Sequence, residues 1–237
     1  MQIDIVTIFP TMFPCVLKES ILKRAQEQYH LRVRVHDLRA YTHDKRRTVD
    51  DRPYGGGPGM IMKPEPIFEA MDTITKNVCP THSAGLSCET ILMSPAGTRL
   101  SSAMAQGFSL RTHLMIICGH YEGVDERVKA LVTRSVSIGD YVLTGGELPA
   151  MVLIDAIARF IPGVIGHDQA TAEESFIGGL LEYPQYTRPP SFRGMTVPEI
   201  LRSGDHEQIA HWRTQQAVAK TAASRPDLLK KNGQQKG

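Results

Sequence analysis

Three short segments, Ser94-Pro95-Ala96-Gly97, Gly119-His120-Tyr121-Glu122-Gly123 and Leu143-Thr144-Gly145-Gly146, each follow a run of residues with strand character. Glycines at such turns expose bare peptide groups to a small molecule and take positive φ at little steric cost. Ligands of open α/β sheets lie outside the carboxyl ends of the strands, so three turns of this kind point to one crevice. Each turn alone is also an ordinary strand-to-helix connection. After the third, Glu147 opens a 3.6-periodic apolar segment that Pro162 and Gly163 end. Within it Asp155 and Arg159 stand four residues apart and face the same way. A plain intrahelical salt bridge accounts for the pair. A charged pair on so apolar a helix is nevertheless costly to bury, a cost tolerated where charge develops during a reaction.

The elements that must position these residues read as alternating strands and helices. Residues 2–9 form a first strand, 13–28 an amphipathic helix and 31–37 a second strand of alternating Val and Arg. A polar, glycine-rich stretch over 41–62 precedes a helix over 66–76. Strands at 90–93 and 113–118 flank a further helix, and a strand over 137–143 leads into the apolar helix, which spans 148–161. This order predicts an α/β fold with a mostly parallel sheet and loops gathered at one end. The composition changes beyond Ile165. The reading is therefore a first domain over 1–165, a linker over 166–175 and a second domain over 176–237, with short helices over 196–231 and a breaker at Pro226.

Composition narrows the function classes. A chain of 237 residues, 41% hydrophobic and 22% charged, is long enough for a buried core. The cysteines Cys15, Cys79, Cys88 and Cys118 show no CxxC spacing, so neither a zinc knuckle nor a disulfide framework is expected, and a reducing cytoplasm is. Met1 leads straight into a strand, and no run of about 18 apolar residues occurs, which speaks against secretion and membrane spanning. The net charge is +2, yet residues 18–52 hold ten Lys and Arg against six Asp and Glu. From His211 onward Arg213, Lys220, Arg225, Lys230, Lys231 and Lys236 face only Asp227. Such clustering suits phosphate contacts, though a solvated helix face would carry it too. No GxxxxGK[ST] is present, and Gly55-Gly56-Gly57-Pro58-Gly59-Met60 fails GxGxxG at its sixth position. A phosphate-cradling nucleotide enzyme therefore lacks its motif, and a purely RNA-binding protein leaves the glycine crevice unexplained. The nine histidines show no paired metal-ligand spacing.

Four longer runs carry a resemblance: DKRRTVDDRPYGGGPGM at 44–60, CGHYEGVDERV at 118–128, SIGDYVLTGGELPAM at 137–151 and EYPQYTRP at 182–189. They are similar to those of bacterial tRNA (guanine-N1)-methyltransferases, from the first strand to Arg225-Pro226. The resemblance implies a SPOUT-class fold with a deep trefoil knot, a rare exception to unknotted topology. It implies methyl transfer from S-adenosylmethionine to N1 of the guanine 3′ of the tRNA anticodon. The cofactor would be contacted by Ser94, Pro95, Gly97, Gly119 and Tyr121, and by Ile138, Gly139, Asp140, Tyr141, Val142 and Leu143. Gly145 and Gly146 would close over it, and Glu122 would orient it or help place a divalent ion, magnesium being an expectation from the family alone. The implied partners are tRNA, not DNA, and a second copy of the chain, each active site borrowing the linker and small domain of the other subunit.

Guanine N1 is protonated and weakly nucleophilic at neutral pH, so a general base is required. As the proton leaves, negative charge spreads to O6, where an arginine would stabilise the transition state more than the ground state. Arg159 is the candidate. The family's linker carries an aspartate before Ser-Phe, whereas this chain has Glu173-Glu174-Ser175-Phe176. Glu174 occupies the expected place with a longer reach, and Glu173 and Asp168 are alternatives. Asp50, Arg52, Gly57, Gly59, Met60 and Asp155 complete the expected substrate contacts. Lys45, Arg46 and Arg47 would add nonspecific attraction. In the small domain Tyr186, Arg188, Arg193, His211 and Arg213 are candidate RNA contacts, and Trp212 reads as a packing anchor.

Overall fold

The computed structural model describes residues 1–78, 87–166 and 174–229. The chain divides into two compact units, Met1–His167 and Asp168–Gly237.

The first unit runs β1 (Gln2–Thr7), α1 (Pro14–Leu17), α2 (Ser20–Glu27), β2 (Arg32–Asp37), β3 (Asp50–Asp51), β4 (Ile61–Met62), α3 (Pro64–Val78), β5 (Cys88–Arg99), α4 (Ser102–Ser109), β6 (His113–Cys118), β7 (Arg134–Ser137) and α5 (Glu147–Ala158). Five strands form one sheet in the order β2-β1-β6-β5-β7, every neighbouring pair parallel. Because successive side chains on a strand point to opposite faces, β1 divides its residues between two cores. Ile3 and Ile5 join Leu22, Ala25, Phe108, Leu153, Ile154 and Ile157 on the face covered by α2, α4 and α5. Val6 joins Met115, Ile117, Ile67, Ala70 and Ile74 on the face covered by α3. Sheets buried on both faces read as apolar runs, and HLMIIC of β6 is buried at every position.

One polar cluster interrupts the second core. Asp4 accepts hydrogen bonds from Gln2 Nε2 at 2.7 Å and meets His113 Nε2 at 2.7 Å and His36 Nε2 at 2.6 Å, tying β1 to both neighbours. Burial by itself would raise the Asp4 carboxyl. The hydrogen bonds from His113, His36 and Gln2 override that and hold it well below the ordinary carboxylate range.

Several expected elements differ. The single helix over 13–28 is two pieces, broken where Ser20 takes φ 49°. The Leu17 carbonyl freed by the break is satisfied by Gln26 Nε2 at 2.7 Å. The strand expected over 137–143 ends at Ser137, whose hydroxyl accepts from Gly139 N at 3.2 Å and donates to Gly139 O at 2.9 Å. Such a local side-chain bond competes with the sheet ladder and turns the chain away. The strand expected at 90–93 continues to Arg99 around a bulge, since both Met93 and Thr98 pair with Val136. Cys88 is disulfide-bonded, which corrects the expectation of a chain without disulfides, while Cys15 and Cys118 are free. A disulfide depends on how closely two Cα atoms approach, and spacing along the chain does not fix that. Among the described residues no helix is long and apolar enough to cross a membrane.

The second unit holds a hairpin, β8 (Ser191–Phe192) with β9 (Met195–Thr196), and α6 (His206–Ser224). Arg193 and Gly194 form the hairpin tip at φ 51° and 78°. Of the short helices expected over 196–231, short helical pieces stand at Glu199–Arg202 and 226–229, but between them α6 is one 19-residue helix, opened by Asp205, which accepts from Gln208 N at 3.1 Å, and broken before Pro226. Thr221 is buried and accepts from Leu181 N at 2.9 Å. Trp212 is half-buried.

Candidate active site

The bulge of β5, the carboxyl ends of β6 and β7 and the start of α5 line an open cavity of about 250 Å³. Of the residues assigned to a cofactor, Ser94, Pro95, Gly119, Tyr121, Glu122, Ile138, Gly139, Tyr141, Val142, Leu143, Gly145 and Gly146 line it. The three turns thus converge on one crevice. Gly97 and Asp140 are not in its wall. Gly97 packs against β7, and Asp140 pairs with Arg99 at 3.1 Å on the exposed surface. His120, Thr144, Ser137, Val136 and Pro149 belong to the lining although no cofactor role was assigned to them from the sequence.

Close approach explains the glycines of the floor and, outside the cavity wall, Gly97. A Cβ on Gly97 would lie 2.4 Å from Val136 N and 2.5 Å from Ser135 C, both main-chain atoms. One on Gly146 would lie 2.8 Å from Cys118 Cα, and Gly146 N donates to Gly119 O at 2.7 Å. One on Gly145 would meet Glu147 Oε2 at 2.3 Å and His120 Nδ1 at 2.4 Å. At Gly146 the floor is therefore backbone packed on backbone, and at Gly145 it is backbone packed on the side chains of Glu147 and His120.

Beneath it lies a polar group that sequence reasoning treated only as a helix start. Glu147, the first residue of α5, is buried, and its Oε1 accepts from the Thr7 hydroxyl at 2.7 Å. Its Oε2 stands 3.7 Å from His120 Nδ1. Burial first, and then Glu147, push the Cys118 thiol well above its ordinary value. The His120 ring meets Phe9 edge-on at 4.9 Å and Tyr121 at 5.0 Å, and the Arg39 guanidinium lies 6.0 Å from the Phe9 ring. Tyr121 takes φ 58° and hydrogen-bonds Asp50. Burial, and next the Asp50 carboxylate, push its phenol upward against an opposing pull from Arg39.

The glycine-rich segment expected to face RNA is anchored at this rim. Glu122 N donates to Met60 O at 3.0 Å, Met62 N to Gly123 O at 2.9 Å and Asp125 N to Met62 O at 3.0 Å. Gly59 abuts the Glu122 side chain, where a Cβ would come within 2.4 Å of Cγ. Asp50 and Met60 are thus brought to the cavity. Arg52, Tyr54, Gly57, Lys45, Arg46 and Arg47 are exposed.

The charged pair of the apolar helix is arranged otherwise than expected. Asp155 is exposed, on a face with Leu148 at 50% and Val152 at 46% exposure, and half-buried Arg159 caps the helix end. That open face relieves the burial cost on which the sequence argument relied. Glu174 stands in the second unit, so the two residues assigned to catalysis lie in different units. The Glu174 carbonyl accepts from Ile177 N at 3.1 Å and Phe176 N donates to Leu180 O at 2.7 Å, a closed turn with Phe176, Gly178 and Gly179 at positive φ. Glu173, Asp168 and most of the expected linker lie outside the described residues, as do Lys230, Lys231 and Lys236. Among the described residues no group of three His, Cys, Asp or Glu could hold a metal ion.

Comparison with known proteins adds an independent line. The family model described as tRNA (Guanine-1)-methyltransferase TrmD matches residues 1–231. A protein of Moorella thermoacetica named tRNA (guanine-N(1)-)-methyltransferase is 56% identical over 230 residues, covering 97% of this chain and 90% of its own. Proteins of the same name from Dictyoglomus turgidum and Lacticaseibacillus paracasei are each 54% identical, over 98% and 97% of this chain and 91% and 88% of their own. With a cavity at the strand ends, a backbone floor and a match along nearly its full length, the chain belongs to the tRNA (guanine-1)-methyltransferase family.

Proposed function

We propose that this chain methylates N1 of the guanine immediately 3′ of the tRNA anticodon, with S-adenosylmethionine as donor. The observation that carries the reading is the glycine floor: Gly145 and Gly146 leave no space for a Cβ, and Ile138, Val142 and Leu143 line the same cavity. That surface fits an uncharged adenosine moiety. The volume is near the low end for small-molecule sites, roughly 300–1,000 Å³, and the cavity is open toward residues 141–144. The knot of the SPOUT class is part of the same reading, supported by the parallel sheet and the family match.

S-adenosylmethionine supplies an electrophilic methyl group on a sulfonium. Glu174, held by its closed turn, takes the N1 proton, and Arg159 stabilises the charge that spreads to O6. Asp50, tied to Tyr121, and Met60, tied to Glu122, align the RNA-facing loop with the rim. Exposed Arg52, Lys45, Arg46 and Arg47 contribute phosphate attraction. A second copy of the chain packs on the Leu148 and Val152 face of α5, and the division of Arg159 and Glu174 between units suits a site completed by a partner. The described residues offer no magnesium cage, and no step is routed through one. A tRNA substrate sets the reaction in the cytoplasm.

Methylation of transcripts carrying guanosine or adenosine beside the anticodon tests substrate and position together. Only the guanosine transcript is expected to react. Glu174→Gln is expected to lower methylation by about 10²–10⁴-fold with cofactor affinity unchanged. Near-normal turnover would exclude Glu174, and mixed dimers of Arg159→Ala and Glu174→Gln chains that never regain activity would exclude a shared site.

A further inference from the structure

Among the described residues three acids are buried: Asp4, Glu89 and Glu147. Two of them are held by close cationic or imidazole partners. Glu89 lies between Arg111 at 3.0 Å and Arg134 at 3.2 Å, and Asp4 between His113 and His36 at 2.7 and 2.6 Å. Glu147 differs. No Lys or Arg pairs with it among the described residues, and His120 Nδ1 faces it from 3.7 Å, beyond hydrogen-bond length. That Nδ1 is buried and has no hydrogen-bond partner. Among the described residues the carboxylate accepts one hydrogen bond, from the neutral Thr7 hydroxyl, so it is fixed in place without a permanent countercharge. It stands at the first turn of α5, where the backbone N–H groups of the helix start point.

The position of this charge is what gives it a role. Gly145 separates the carboxylate from the cavity, and a Cβ there would touch Glu147 Oε2 and His120 Nδ1 at once. Gly145, a lining residue, thus packs directly on the carboxylate and on His120, which lines the cavity too. A structural acid would be placed beside a cation or solvent, as Glu89 is. We propose that Glu147 is an electrostatic positioning residue that gives the cavity a preference for a positively charged sulfonium over the neutral thioether that remains once the methyl group has left. This rests on S-adenosylmethionine being the donor. Donor and product differ by one methyl group and one unit charge, so the same residue draws in the donor and loses its hold when transfer is complete.

The test is calorimetric titration of the full-length wild-type and variant proteins with S-adenosylmethionine and with S-adenosylhomocysteine. Glu147→Gln is expected to weaken sulfonium binding by about tenfold, the order expected for loss of one unit charge acting through an effective dielectric near 20. Thioether binding should stay at the wild-type level, and Glu147→Asp should restore the sulfonium preference. A purely structural role would weaken both ligands alike and leave their ratio unchanged, which would overturn the proposal. Should Glu147→Gln not fold, Thr7→Val removes the hydroxyl that orients the carboxylate, and the ratio should shift the same way by a smaller factor. An unchanged ratio there is equally fatal. Wild-type protein that binds neither ligand would instead overturn the cofactor reading, and this inference with it.

Discussion

Two groups of glycines serve this molecule for opposite reasons. Gly145 and Gly146 in the cavity floor, and Gly97 where β5 packs on β7, are glycines because there is no space, with main-chain or buried polar atoms within 2.3–2.8 Å of any Cβ. Gly55, Gly56 and Gly57 in the exposed loop have nothing within 4 Å and are glycines because of conformation, with φ of 84°, 77° and 119°. The first group shapes a rigid surface on which a small ligand lies against peptide bonds. The second keeps a loop in a backbone path that other residues resist, as a surface meant for a larger partner requires. Identical residue types in one sequence therefore report packing in one place and torsion in another.

Substitutions separate these causes, and a control outside both regions sets the scale. Asp4→Ala strips the buried carboxylate from His36 and His113 and is expected to cost about 3–5 kcal/mol of unfolding free energy in urea melts. The donor-to-product affinity ratio should not change. The pH dependence follows from the lowered pKa of Asp4. Its stabilisation is complete above the ordinary carboxylate value of about 3.9 and is lost as pH falls through the lower folded value, so wild type should lose more stability than Asp4→Ala in that acid range. Next in size, Gly97→Ala forces β5 and β7 apart and should cost about 1–3 kcal/mol or more, with loss of cofactor binding. Retention of both stability and binding would break the account of the floor.

Gly59→Ala is intermediate, because Gly59 has φ 85° and also rests on the Glu122 side chain. It should weaken tRNA and cofactor binding together, whereas effects confined to tRNA would show that rim and loop are independent. Smallest is Gly56→Ala, where strain alone predicts about 1–2 kcal/mol, partly relieved in an exposed loop. Cofactor titration should be unaffected and filter binding of tRNA weakened. A cofactor defect in this variant would erase the distinction between the two groups.

The crevice was legible in the sequence because its parts are local: two strand ends followed by glycine and a third segment, 94–97, that proved to be a bulge within β5, gathered by a parallel sheet. What spacing did not reveal was contact across the chain. Glu147 looked like the first residue of a helix, and its meeting with Thr7 of β1 spans 140 residues. His120 lay within a quoted motif but gained meaning only from Phe9, Tyr121 and Glu147 around it. The strand predicted over 137–143 failed at Ser137 because a hydroxyl bonded two residues ahead outcompeted the ladder. Asp155 and Arg159 were read from apolar neighbours as a buried pair, whereas the helix face that carries Asp155 is open.

By itself the sequence determined the α/β order, the convergence of the three turns and, through its long matching runs, the family. These follow from periodicity and local turn chemistry, which depend on neighbours a few residues away. Tertiary structure alone decided which glycines are squeezed and which are twisted, where the bulge at 94–97 falls, and that an acid without a permanent countercharge lies under the cavity. Those features are distances between segments far apart in the chain, and they exist only once the sheet has packed.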